Sequence, residues 1–376
     1  MNSQIPLLLQ KQKKYAKIFG TTIYNSEWLI LLRSVQIGSR WSPTSAIRKR
    51  YMPLAHLYRS SALGSKNGGL NVKKLSKTLF NQLNSYMNKK ARPLESAMFN
   101  YYFNDSSGDD ILDSLEEFQN SDGGFGRGIE PDFKLIQSSP MATSIGLRYL
   151  SMLDNSDRGQ NMIAKAVEYI ETTFDSNRNG WYSVPSNVNE YPHAPWWEFR
   201  NDINMTVIDY SWGNPTAELI GYLYKYKEYL NNLDIYSLIS YAIANLNERT
   251  EFNSEHEIFC YIRMYNALDE EFSSQIVDTL KLAVSQLVNI NESEWINYVP
   301  TPLKFIEFDS ENFFEIERKF IDQNLDYLVD RLEQDGKLLP TWQWDKYLEE
   351  WEIAKIEWMG ILTLEALLSL LKFNRR

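Results

Sequence analysis

The sequence predicts an all-α fold in which paired helices repeat and close into a barrel, on three observations. Apolar residues recur at spacings of three, four and seven through residues 71–376, the period of a helix buried on one face. The alternation that a half-buried strand needs is scarce. A Gly-containing turn followed by a capped, Pro-headed helix occurs twice, and such internal repetition marks architectures that stack one supersecondary unit.

Residues 1–70 read as a separate basic arm. They hold 11 Lys/Arg against the single acid Glu27 and end in the stretch Gly64 to Gly69. A flexible or accessory extension, a targeting segment and a contact to an anionic surface all share that composition. The toroid domain is expected over residues 71–376, which carry a net charge of −20. Such a balance argues against nucleic acid as a partner of the helical body.

Within the body, Ile111, Leu112, Leu115 and Phe118 share one helical face. Asn120-Ser121-Asp122-Gly123-Gly124-Phe125 follows, where Gly supplies the positive φ that lets the chain leave a helix. Pro140 then heads a helix behind the capping residue Ser139, because Pro at the first helical position loses no hydrogen bond. Ile163, Val167, Ile170 and Phe174 form the next outer face, and Asp175–Trp181 repeats the turn. Asn214-Pro215 repeats the cap, aligning Gly146 with Gly221, and both glycines are expected to admit a neighbouring helix.

Further inner helices are expected near Ser254, Asn312 and Glu352. Outer faces are expected at Ile276–Leu287 and Ile321–Leu332, with a last turn at Gln334-Asp335-Gly336. The apolar run from Ile353 to Leu371 carries Lys355, Glu357 and Glu365, so it reads as a buried helix rather than a membrane span. The unit is outer helix, turn, inner helix, and about five to six pairs fit the length.

The segment Gln119–Phe125 resembles the Gln-to-Trp repeat of squalene and oxidosqualene cyclases. It is also similar to the Gly-Gly-Phe turns of protein prenyltransferase β-subunits. The resemblance implies a single α/α toroid of the terpenoid cyclase and prenyltransferase superfamily, and with it an apolar polyprenyl substrate. Two departures stand out. The Asp-x-Asp-Asp tetrapeptide of the cyclases is missing, Glu307-Phe308-Asp309-Ser310-Glu311 being the nearest acidic cluster. Cys260, the one cysteine, lacks the Asp that accompanies the zinc cysteine of the prenyltransferases.

Candidate chemistry concentrates at the expected barrel mouth. Glu130 and Asp132 lie in the loop ahead of an inner helix, with Arg127 nearby. A carboxyl buried there would have its pKa raised into the range of a general acid, whereas one in a solvated surface loop would not. Glu357, beside Trp358, is a third acid, either perturbed by apolar company or ion-paired with a lysine such as Lys355. His193, Trp196 and Trp197 sit in the long aromatic insertion 181–213, and Trp342 and Trp344 precede the last helix. Their rings suit stacking on a ligand or stabilising a cation.

Glu218 opens the second repeat helix, where it either caps the helix or reaches a substrate. Asp109-Asp110-Ile111-Leu112-Asp113 has magnesium-binding spacing, although acids at a helix start also oppose the helix dipole. No metal or cofactor is implied otherwise, since three histidines and one cysteine make a poor ligand set. Three functions compete: a terpenoid-cyclase-like enzyme, a glycan-active or glycan-binding α/α barrel, and a non-catalytic toroid that binds a partner. A cytoplasmic protein, in peripheral contact with membrane at most, fits the composition.

Overall fold

The computed structural model describes residues 72–376, which fall in the second of the two units into which the chain divides, Ala62–Arg376. The expected basic arm lies outside the described residues. Among those described there are twelve α-helices and no strand, only isolated bridges. No helix among them is long and apolar enough to cross a membrane.

The helices are α1 (Lys77–Lys90), α2 (Pro93–Phe103), α3 (Asp109–Glu116), α4 (Pro140–Leu150), α5 (Asp157–Thr172) and α6 (Gly213–Lys225). They continue as α7 (Ile235–Asn247), α8 (Glu255–Ala267), the single turn α9 (Glu270–Ser273), α10 (Val277–Leu287), α11 (Arg318–Asp335) and α12 (Leu348–Lys372). Helices pack in pairs: α2 on α3, α4 on α5, α6 on α7, α8 on α10 and α11 on α12. A second set of contacts links α12 with α2, α4 with α6 and α6 with α8. The two ends of the described chain also meet. The Leu75 amide donates to the Arg375 carbonyl at 2.9 Å, and the Arg375 guanidinium binds Asp322 and Asp326 on α11.

The local reasons are those read from sequence. Ser139 caps α4 by accepting from the Ala142 amide at 3.1 Å, with Pro140 in the first turn. Ser254 caps α8. The turns contain left-handed residues, Gly123 (φ +89), Asn179 (φ +54) and Gly336 (φ +66), but only Gly336 caps its helix; α3 and α5 end earlier, at Glu116 and Thr172, on residues of negative φ. Phe125 and Trp181 fold back from these turns and are fully buried, each worth about 2–3 kcal/mol of apolar transfer.

A device absent from the sequence reading repeats three times. The buried backbone N–H after each turn docks on a threonine hydroxyl of the following helix. Phe125 donates to Thr143 at 2.9 Å, Trp181 to Thr216 at 3.1 Å and Leu338 to Thr363 at 2.9 Å. Thr143 stands three residues after Pro140 and Thr216 one after Pro215, so the two helices are in a different register from the proline alignment. The glycines diverge accordingly. A Cβ on Gly221 would meet the Met264 backbone of α8, the close helix approach expected, whereas one on Gly146 would meet the Phe125 ring.

Three further expectations are corrected. The side chain of Asn214 caps no helix; it accepts instead from the Cys260 thiol. The last helix begins at Leu348, ahead of Glu352. No helix starts near Asn312, because residues 306–317 run as loop and the single turn Pro302–Phe305 packs against α8 and α11 in its place. Two left-handed residues in succession, Phe314 and Glu315, are incompatible with a right-handed helix there.

Candidate functional site

The loop 126–138 between the first turn and α4 carries the acids, and several elements clamp it. Arg92, at the start of α2, donates to the Gly128 and Ile129 carbonyls at 3.2 and 3.1 Å while its other nitrogens grip Glu95 at 2.7 Å. The aromatic insertion lies alongside. The Ala194 amide donates to the Asp132 carbonyl at 2.7 Å and the Lys134 amide to the Pro192 carbonyl at 2.8 Å. Phe133, fully buried, packs edge-on against Trp197 at 5.0 Å. Glu130 folds back so that its Oε1 accepts from the Asp132 amide at 3.2 Å.

The opposite wall comes from the end of the chain. Asp132 is 4% exposed, and its Oδ1 accepts from two indoles, Trp344 Nε1 at 3.0 Å and Trp358 Nε1 at 2.7 Å. The Trp342 indole helps stabilise the same carboxylate, although its Nε1 falls outside hydrogen-bond geometry. Trp342 stands edge-on to both Trp358 at 5.0 Å and Tyr298 at 5.5 Å. The Tyr298 hydroxyl lies 2.6 Å from His256 Nε2.

Burial, then the neighbouring charge of Asp132, pushes Glu130 up to about 8. Burial pushes Asp132 up to about 6, held back by the three indoles and by Lys134. Two carboxyls this close lose their protons in linked steps, so the pair as a whole keeps a proton near neutrality.

A second cluster adjoins the first. Glu218 on α6, 2% exposed, receives Arg148 of α4 at 2.9 Å and Arg263 of α8 at 3.2 Å. Burial opposes its charge, but the two guanidiniums hold its carboxyl below the usual range. Arg263 continues to Glu307 at 3.0 Å, and Lys304 meets Glu365 of α12 at 2.9 Å. Arg148 bears on the charge of Glu130, Glu218 and Glu365 alike. Charged groups from α4, α6, α8 and α12 therefore converge. Arg148 and Glu365 keep side-chain exposures of 34% and 52%, so water reaches the place where they meet.

The structure gathers Glu130, Asp132, Trp342, Trp344 and Trp358 into one centre and gives other expected residues different work. Arg127 is exposed and pinned to Asn120 at 2.8 Å in the turn; the arginine that clamps the acid loop is Arg92. Glu357 is ion-paired with Lys134. Glu218 neither caps a helix nor remains free for a ligand, being saturated by two arginines. Trp197 is buried against Phe133, and Trp196 is half-buried in the same packing.

His193 is 2% exposed, its Nδ1 against the Tyr191 carbonyl at 2.6 Å and its Nε2 without a hydrogen bond. Asp113 pairs with Arg158, and Asp109 binds the Ser107 hydroxyl. Among the described residues no group of three or more His, Cys, Asp or Glu is arranged to hold a metal ion. Arg92, Tyr298 and His256 escaped the sequence reading, since no motif marks them. Compared with family models, curated proteins and solved structures, the chain matches none.

Proposed function

We propose that the helix pairs close into a ring of about five to six pairs, an α/α toroid with Glu130 and Asp132 at its mouth, and that this centre performs acid-assisted chemistry on a carbohydrate. Support for the ring comes from the alternating contacts and from the meeting of the two ends of the described residues at Leu75 and Arg375. The observation that carries the function is the carboxyl pair of half-buried Glu130 and buried Asp132, the latter under two indole N–H donors, next to a water-accessible cluster of arginines and acids.

Glu130 keeps its proton at neutral pH and donates it to the leaving-group oxygen as the glycosidic C–O bond breaks; water then adds to the sugar carbon and returns a proton to Glu130. Asp132 stays ionised under its two indole donors and favours the positive charge that builds on a sugar ring as the bond breaks. Trp342, Trp358 and Tyr298 offer faces on which sugars stack. Hydrolysis of a panel of neutral and amino-bearing oligosaccharides is the test. Turnover by the wild type that Glu130→Gln abolishes supports the reading. Binding without turnover would leave a non-catalytic receptor, and neither binding nor turnover would overturn it.

A second reading, a terpenoid-cyclase-like enzyme on a polyprenyl substrate, draws on the Gly-Gly-Phe turn and on the aromatic walls around the acid. The charges of Arg148, Arg263 and Glu365 weigh against it, because a hydrocarbon chain would have to desolvate them. Product formation from squalene or prenyl diphosphates would reverse that preference.

A further inference from the structure

We infer that the ligand of this centre carries a cationic ammonium group, docked on the free oxygen of Asp132 against the Tyr298–Trp342–Trp358 wall. The inference rests on the reading that Glu130 and Asp132 form the ligand site, and it names the class of ligand: an amino sugar rather than a neutral one.

Charge pairing leads to it. Around the centre, cations already have carboxylate partners on the chain: Arg92 has Glu95, Lys134 has Glu357, Arg148 and Arg263 share Glu218 and Glu307, and Lys304 has Glu365. Among the described residues Glu130 and Asp132 have no direct ion pair, Arg92, Arg148 and Lys134 acting on them only from a distance. A buried carboxylate without a cation is costly, and here the chain offsets only part of that cost. Asp132 Oδ1 takes both indole N–H groups, while Oδ2 takes no hydrogen bond from the described residues and is left to meet solvent.

The wall beside it is aromatic. Trp342 stands edge-on between Trp358 and Tyr298, and Tyr298 is 51% exposed. Indole and phenol faces attract cations within about 6 Å, most strongly where water is thin. An acceptor oxygen with no donor among the described residues, next to aromatic faces with no cation among them, fits an N–H-bearing cation. An anion would meet two carboxyls there, and a neutral hydroxyl would leave the charge uncompensated. Glu130 keeps its separate task, because a group that retains its proton adds no second negative charge.

Calorimetric titration of the full-length protein with glucosamine, glucose and tetramethylammonium tests this. Glucosamine should bind about tenfold more tightly than glucose, and tetramethylammonium should bind measurably. Asp132→Asn should erase the preference for glucosamine. Tyr298→Leu should weaken tetramethylammonium severalfold while leaving the indole donors of Asp132 in place, which gives a second reading should the Asp132 variant fold poorly. Equal binding of glucosamine and glucose by the wild type overturns the inference, as does an Asp132→Asn variant that folds and keeps the preference. Turnover of neutral glycans without any amine preference would sink this inference alone. Amine binding without turnover of any glycan would sink only the catalytic reading.

Discussion

Replacing Glu130 by Gln removes a carboxyl that the fold holds protonated, while keeping an oxygen to accept from the Asp132 amide. In the folded chain burial lifts this group from its ordinary 4.5 to about 8. A raised carboxyl favours folding in its neutral form. Its contribution is present in full below about pH 4.5 and is lost as pH climbs to about 8. At 1.36 kcal/mol per pH unit the full span approaches about 5 kcal/mol. Sharing of the proton with Asp132 and partial access of water reduce this to about 2 kcal/mol. Urea unfolding of wild type and variant at pH 5 and pH 8.5 measures it. The variant should gain about 2 kcal/mol on the wild type between the two conditions, with unchanged slopes. Parallel pH profiles for the two proteins would refute the burial argument.

Other perturbations separate packing from chemistry. Gly146→Ala drives a methyl to within 2.5 Å of the Phe125 ring and should cost about 1–3 kcal/mol in denaturant unfolding. Thr143→Val strands the buried Phe125 amide and should cost about 1–3 kcal/mol, as should the equivalent changes at Thr216 and Thr363; equal stability at any of the three would deny the shared anchor. Glu218→Gln leaves two guanidiniums facing each other and should cost about 3–5 kcal/mol. Because the Glu218 carboxyl is depressed, that penalty should shrink as pH falls through its folded titration. Trp358→Phe removes one of the two indole donors from Asp132 and should raise the midpoint at which Asp132 ionises, read from carboxyl chemical shifts.

Helices bounded by caps and turns were legible in the sequence because those devices are local. Ser139-Pro140, Ser254 and the left-handed Gly336 act within a turn of themselves, and their helices begin or end where expected, whereas Gly123 shapes a turn that starts only after α3 has ended at Glu116. Residues 288–317 were not legible. They lack a sustained helical period, and an expected inner helix near Asn312 is replaced by the single turn Pro302–Phe305.

The site divided along the same line. Glu130 and Asp132 announced themselves as acids in a loop beside a turn, and Trp342, Trp344 and Trp358 as a dense aromatic stretch. Partners chosen by distant packing could not be read. Glu357 meets Lys134 across 223 residues of chain, and Arg92 reaches Gly128 across 36. Glu218 shows the limit most clearly. Its place in the first turn of a helix suggested a dipole role, while the fold uses it to join α4 to α8.

The claim on which the account turns is that Glu130 holds a proton at neutral pH. Infrared difference spectra between wild type and Glu130→Gln read that proton directly. A protonated-carboxyl carbonyl band at pH 7 in the wild type, lost in the variant and fading as pH rises past about 8, is the result expected. A wild-type spectrum at pH 7 with Glu130 fully ionised would contradict it.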